Sequence, residues 1–330
     1  MKKFLRILGI CFLALGLAIF AFLFVGFPDS HKNDIVWGVN FSQKQAQNLG
    51  VDWKENYLAL LDDLNVRNLR IASYWDLIEK KQGKYDFSDL DWQIKTAEER
   101  GAKVILVVGR KTPRWPECHE PEWALNYESA IMNQELLKYI EKIVDRYKDS
   151  SAIWAWQVEN EPFFPFGECP KPDKELLKKE IELVRLIDVR PVMISESGEV
   201  PFWFKAGRYG DIIGITMYQK VWFKELNNYI SYPFPPIFYS RKADIIKWIF
   251  RKKVLCVEFQ AEPWGPKLLY DNLALSEQEK TMSLEQFKKN VEFAEKTGLD
   301  SFYLWGSEWA YWMREKQAKP KIWEEMRKLF

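Results

Sequence analysis

The sequence predicts an α/β protein, a (β/α)8 TIM barrel preceded by one N-terminal transmembrane helix, and three observations predict it. From Ile35 onward, short β-branched runs alternate with longer amphipathic stretches. Eight such runs fall within roughly 300 residues, the size a (β/α)8 barrel takes. Ahead of them lies an uncharged apolar segment.

That segment, residues 7–27, is 21 residues long. At about 1.5 Å per residue a helix of this length crosses the roughly 30 Å hydrocarbon core once. Lys2, Lys3 and Arg6 precede it, so the positive-inside rule puts the N-terminus in the cytoplasm and everything after Phe27 outside. Residues 22–27 offer no small-residue cleavage site, which favours an uncleaved anchor over a cleaved signal. Ile10 before Cys11 is not the small residue of a lipoprotein site. The reading is a membrane anchor over 1–27 and a single domain over 28–330, on the outer face of the cytoplasmic membrane. No composition break, Gly/Ser linker or repeat divides that domain.

The eight strands are read at residues 35–40, 68–72, 103–108, 153–158, 191–195, 212–216, 254–258 and 301–305. Helical periodicity lies between them. It is clearest after the third strand, where Leu136, Ile140, Ile143, Val144 and Tyr147 share one face. Gly101 and Gly298 each follow a helical stretch and precede a strand, where a left-handed residue ends a helix. A short helix around 322–329 closes the chain. No glycine-rich turn follows the first strand, which argues against a doubly wound sheet. Residues 219–240 read as a long βα loop rich in aromatics and proline, either a substrate wall or a loop packed on itself.

Composition narrows the partners. Lys plus Arg number 48 against 47 Asp plus Glu, and residues 28–330 carry 45 basic and 47 acidic side chains, which gives no electrostatic case for nucleic acid and suits an uncharged substrate. The four Cys, at 11, 118, 169 and 256, match no zinc spacing. With only His31 and His119, a His-rich catalytic zinc is excluded; an all-oxygen calcium site stays open. No cofactor or metal is implied. The 16 Trp, 14 Tyr and 22 Phe exceed what a core needs, so some should face a ligand.

In such a barrel the catalytic groups project from the C-terminal strand ends. Two of these ends carry a glutamate in a distinctive context: Trp154-Ala155-Trp156-Gln157-Val158-Glu159-Asn160-Glu161-Pro162 and Val254-Leu255-Cys256-Val257-Glu258-Phe259-Gln260-Ala261-Glu262-Pro263-Trp264. Asn-Glu-Pro after the fourth strand, with a second Glu on the seventh, resembles the clan A glycoside hydrolases, which include cellulases, mannanases and β-galactosidases. The segments Trp75-Asp76-Leu77-Ile78-Glu79 and 83–91 after the second strand, and Thr112-Pro113-Arg114-Trp115 after the third, are similar to that clan too. The resemblance covers nearly all of 35–310. The run from Glu258 to Trp264 is nearer in character to the β-galactosidase-like members.

The resemblance implies a retaining hydrolase of a β-linked oligo- or polysaccharide, with Glu161 as acid/base and Glu258 as nucleophile. Glycoside hydrolysis needs one carboxylic acid to protonate the leaving oxygen and one carboxylate at the anomeric carbon. It also implies that Arg70 hydrogen-bonds the nucleophile and keeps it ionised, that Tyr218 donates to it, and that Asn160 binds the hydroxyl next to the reacting carbon. Trp305 would offer its face to a sugar ring, with Trp115 and Trp264 as further aromatic contacts and Trp75, Trp309 and Trp312 behind them. Each has a plainer reading as rim ion pair or packing. Glu159 reads as support, and Glu262 as a ligand to hydroxyls or a solvated loop residue. A catalytically silent carbohydrate-binding barrel and a transglycosylase acting on envelope glycans are the alternatives. Cys118 and Cys169, in loops after neighbouring strands on one barrel end, are read as a disulfide with two free thiols as the alternative, and Cys256 as a buried thiol.

Overall fold

The β-branched runs form the strands because side chains alternating across a pleated sheet can be buried on both faces, inside the barrel and beneath the helices. The computed structural model describes residues 2–26, 35–200, 202–269 and 273–330. Ten strands appear among them: β1 Val36–Phe41, β2 Asn68–Ala72, β3 Lys103–Val108, β4 Ile153–Val158, β5 Val192–Glu196, β6 Ile212–Met217, β7 Lys220–Phe223, β8 Asn228–Ser231, β9 Lys253–Gln260 and β10 Ser301–Trp305. Eight close a parallel barrel in the order β1-β10-β9-β6-β5-β4-β3-β2. The fold is therefore the expected (β/α)8 barrel.

The departures from expectation are local. β1, β5, β6 and β9 extend one or two residues beyond the expected ends, since backbone pairing continues past the last β-branched residue. Residues 219–240 are not one loop: β7 and β8 form an antiparallel hairpin, and the next helix already starts at Pro236. Proline at the first helical position is pre-set for that start and loses no needed donor. The expected face of the helix Ser129–Tyr147 is buried as read, with Met132 and Tyr139 added. Gly101 and Gly298 have φ of 64° and 72°, the left-handed values their helix ends require. The closing helix spans Lys321–Arg327.

Inside the barrel, Ile105, Ala155, Met193, Ile212, Leu255, Val257 and Tyr303 pack as one apolar plug. This plug closes the bottom, so the polar inward side chains gather at the opposite, C-terminal mouth. Cys118 and Cys169 are disulfide-bonded, with Cα atoms 5.3 Å apart, and Cys256 is a buried thiol. The N-terminal helix runs Lys2–Phe24, and its window Ile7–Phe24 has mean hydropathy 2.8 with only 6% of it buried. The expected end of the anchor at Phe27, and His31, lie outside the described residues. Trp75 and Trp309 are buried in the core, where their indole N–H groups donate to Glu79 and Gln278, and Trp312 packs on the same core.

Candidate active site

Strand alternation alone would turn Glu258 away from the barrel mouth. Leu255 and Val257 face the interior, whereas Cys256 and Phe259 sit in the layer under the helices, so position 258 should point outward like 256. The register changes there against both neighbours. Ile215 pairs with Cys256 but Thr216 with Glu258, and Phe302 pairs with Cys256 but Leu304 with Phe259. The extra residue is a β-bulge, which lets Val257 and Glu258 both turn inward. Glu258 thus lies within β9 rather than at its end.

Two groups reach the Glu258 carboxylate from different strands. Arg70, in the middle of β2 and 1% exposed, donates from Nη1 to Glu258 Oε1 at 2.8 Å. Tyr218, the first residue after β6, donates from its hydroxyl to Oε2 at 3.0 Å. The same guanidinium donates from Nη2 to Asn160 Oδ1 at 2.7 Å, from Nε to Gln157 Oε1 at 2.8 Å and from Nη1 to Asn40 Oδ1 at 2.9 Å. One planar fork therefore fixes a carboxylate and the Asn160 amide together, as the guanidinium's fixed donor geometry allows.

On the other side, the chain leaves β4 through left-handed residues, Glu159 at φ 57° and Glu161 at φ 42°. Such backbone costs a non-glycine residue about 1–2 kcal/mol and is kept where the surroundings over-determine it. Here they do. The Glu159 carboxylate accepts the Arg110 and Lys111 N–H groups at 2.9 and 2.7 Å, and the Glu161 N–H donates to Ser195 Oγ at 2.8 Å. Glu159 is therefore a backbone clamp for the turn that carries Glu161. Among the described residues no donor reaches the Glu161 carboxyl, which is 7% exposed. Burial, then the charges of Glu258 and Glu117, push its pKa well above the carboxylate range.

Glu117 is a third carboxyl that sequence reasoning missed. It is buried, has φ 77°, and its Oε2 accepts from Asn160 Nδ2 at 3.0 Å. Burial and then Glu258 push it up to about 7. Its unfolded value is near 4.5, so between these pH values the folded chain keeps a proton that the unfolded chain has lost, and stability falls as pH rises through that window. Glu117→Gln removes the charge and keeps an acceptor for Asn160. It is expected to raise the urea unfolding free energy by up to about 3 kcal/mol near pH ~8, with little gain near pH ~4. A variant no more stable than wild type at the higher pH contradicts this account of Glu117.

The aromatic candidates separate. Trp264 packs edge-on against Tyr218 with centroids 4.9 Å apart and touches Phe166, which in turn meets Trp115 at 6.2 Å. Trp115 is 40% exposed, so this wall has an open end. Trp305, ending β10, is 8% exposed, and the Arg114 guanidinium lies over its ring at 3.9 Å. Arg114 is ion-paired with Glu262 and with Glu308, the latter at 2.8 Å. Burial opposes the Arg114 charge, but the two carboxylates outweigh it and raise its pKa. Glu262 thus sits in a buried ion pair and not on a solvated loop. A cavity lined by Asn40, Ser42, Arg70, Tyr74, Arg114 and Trp305 adjoins this cluster.

The missed residues, Asn40, Glu117, Gln157, Ser195 and Glu308, had one readable signal among them. Asn40, Gln157 and Ser195 are polar residues at or near the C-terminal ends of otherwise apolar strands. Nothing in the local sequence aims Glu117 or Glu308 inward.

The family model described as Beta-galactosidase matches residues 45–176. Beta-galactosidase Bga of Halorubrum lacusprofundi is 24% identical over 128 residues, which is 33% of this chain and 18% of that protein. The probable mannan endo-1,4-beta-mannosidase F of Emericella nidulans is 32% identical over 90 residues, 24% of this chain and 20% of that protein. Among solved structures, xylanase 10B from Thermotoga petrophila superimposes with a TM-score of 0.54 at 14% identity, over 84% of this chain and 86% of that one. The matched stretches thus span about a fifth of these two curated relatives. The resemblance to the clan A glycoside hydrolases holds, in the family model and in the fold.

Proposed function

We propose that residues 28–330 form a retaining glycoside hydrolase that cleaves a β-linked oligo- or polysaccharide by double displacement, without a cofactor or metal. The observation that carries this reading is the asymmetry of the two carboxyls: Glu258 is held by Arg70 and Tyr218, whereas among the described residues no donor reaches Glu161, whose proton affinity is raised. A nucleophile must be an oriented carboxylate and a general acid must keep its proton near neutral pH. The β-galactosidase and β-mannosidase names of the relatives support the substrate class.

The steps follow from these positions. A Glu258 oxygen attacks the anomeric carbon as the glycosidic C–O bond breaks, and the Glu161 proton passes to the leaving oxygen. Glu161, now a carboxylate, takes a proton from water, whose oxygen displaces Glu258 from the anomeric carbon. Two inversions give retention. The Asn160 amide, oriented by Arg70 and Glu117, binds the hydroxyl beside that carbon in this reading, a bond that strengthens in the transition state. Trp115, Trp264 and Trp305 supply the aromatic surface for sugar rings.

We read the helix Lys2–Phe24 as a single-pass anchor that keeps this site outside the cytoplasmic membrane, supported by its hydropathy, its low burial and the basic residues that precede the apolar run. The test of the reaction is a screen on nitrophenyl β-glycosides and β-glucans, with the first-formed anomer followed by proton NMR. The β-anomer is expected first. An α-anomer as the first product would mean inversion and would sink the two-step mechanism.

A further inference from the structure

The apolar N-terminal helix rests on the helix Pro236–Phe250. Phe24 lies 5.3 Å from Phe238 and 6.4 Å from Phe234, and the Arg241 guanidinium sits 5.0 Å over the Phe22 ring. At 100° per residue, positions 238, 241, 245, 248 and 249 of that second helix share one face. Its first half therefore carries the anchor. Two turns beyond Arg241, about 10 Å along the axis, the same face presents Trp248 and Ile249, which are 83% and 47% exposed. Lys247 and Arg251 flank them; Lys252 follows, its ammonium donating to the Gly207 carbonyl at 2.9 Å, and then Lys253. The one acidic residue on this helix, Asp244, pairs with Arg241 at 3.9 Å, and Asp300 pairs with Lys253 at 3.1 Å.

An exposed tryptophan and isoleucine bordered by lysine and arginine is the composition of a segment lying in a bilayer interface, with rings at the headgroup level and cations on anionic lipid. We propose that the C-terminal half of this helix is a second membrane contact: Trp248 and Ile249 dip into the outer leaflet beside the anchor, and Lys247 and Arg251 bind anionic headgroups. Continuity with the anchor's own packing face selects the lipid surface. A second copy would bring the same basic flank against itself, an arrangement that like-charge repulsion opposes. The consequence for function is orientation, because two contacts fix the barrel against the membrane where one helix leaves it free to rotate.

The proposal rests on the anchor reading, and the experiment separates the two. Full-length chain in a Cys11→Ser background is spin-labelled singly at Ile249→Cys, at Leu15→Cys within the anchor, or at Lys95→Cys on the far side of the barrel. It is reconstituted into vesicles of phosphatidylcholine with or without phosphatidylglycerol. Accessibility to oxygen and to a water-soluble nickel complex is then read at each site. The position 249 label is expected to show several-fold higher oxygen-to-nickel accessibility than the position 95 label, and more so with phosphatidylglycerol present. A label at 249 as wet as that at 95, while the label at 15 reports hydrocarbon, overturns the second contact and leaves the anchor standing. A wet label at 15 overturns both. Dipolar broadening between position 249 labels identifies a second copy as the occupant and overturns the lipid assignment, as does indifference to phosphatidylglycerol.

Discussion

Glu258→Ala is expected to abolish turnover of every glycoside, a loss on the order of 10⁶-fold in kcat, the scale seen when a nucleophile is removed from a covalent mechanism. That is about 8 kcal/mol of transition-state stabilisation. No neighbour can substitute, because Arg70 and Tyr218 orient only this carboxylate. Glu161→Ala is expected to fail differently. A phenolate of low basicity leaves without a proton, so glycosylation of activated aryl glycosides should persist while deglycosylation stalls for want of a base. Added azide needs no base and should restore turnover, releasing a β-glycosyl azide. The pH profile carries the same signature. Glu161 must hold its proton for the first step, so wild-type activity falls as pH rises through its raised pKa, and this basic limb should vanish in Glu161→Ala on activated substrates. Equal inactivity of the two variants on activated substrates, or normal activity in Glu258→Ala, would show that the roles are misassigned.

Arg70 is the second position where a large effect is expected, because one side chain serves both halves of the site. Arg70→Met leaves Glu258 buried without its ion-pair partner, a change that costs about 3–5 kcal/mol of stability in comparable buried pairs. It also releases the Asn160 amide and the Gln157 side chain. Arg70→Lys tests function apart from folding: it keeps the positive charge, but a single ammonium cannot hold Glu258 and Asn160 in one plane. For that variant a fall in kcat/KM on the order of 10²- to 10³-fold is expected, the scale for losing one preorganised donor, with unfolding far less affected than in Arg70→Met. Steady-state kinetics and urea denaturation on both variants check this. Wild-type kcat/KM in Arg70→Lys would mean that Arg70 acts as a charge alone.

The barrel was legible because its signal is periodic: eight β-branched runs, each separated by a helical stripe, leave few ways to arrange the sheet. Glu161, Asn160 and Arg70 were legible through local motifs and strand position. Other parts depend on contacts that the local sequence does not encode. The bulge that turns Glu258 inward shows itself only in the register with β6 and β10, since nothing in Cys256-Val257-Glu258 marks an extra residue. Glu117 reaches Asn160 from a different loop, and Arg114 comes to lie on Trp305 from the loop after β3. The helix start at Pro236 was hidden because prolines and aromatics at 232–239 look the same in a loop as in a helix start.

In a double displacement Glu258 forms a covalent bond with the sugar. The measurement that tests it most directly uses a dinitrophenyl 2-deoxy-2-fluoro-β-glycoside, in which the fluorine slows both steps while the good leaving group keeps the first fast enough to accumulate the ester. After inactivation, peptide mass spectrometry locates the added sugar. The expected result is a single glycosyl ester on Glu258, formed with release of one dinitrophenolate per chain. A sugar found on Glu161, Glu117 or any other residue, or continued turnover of a substrate the enzyme accepts without any ester, would contradict the assignment.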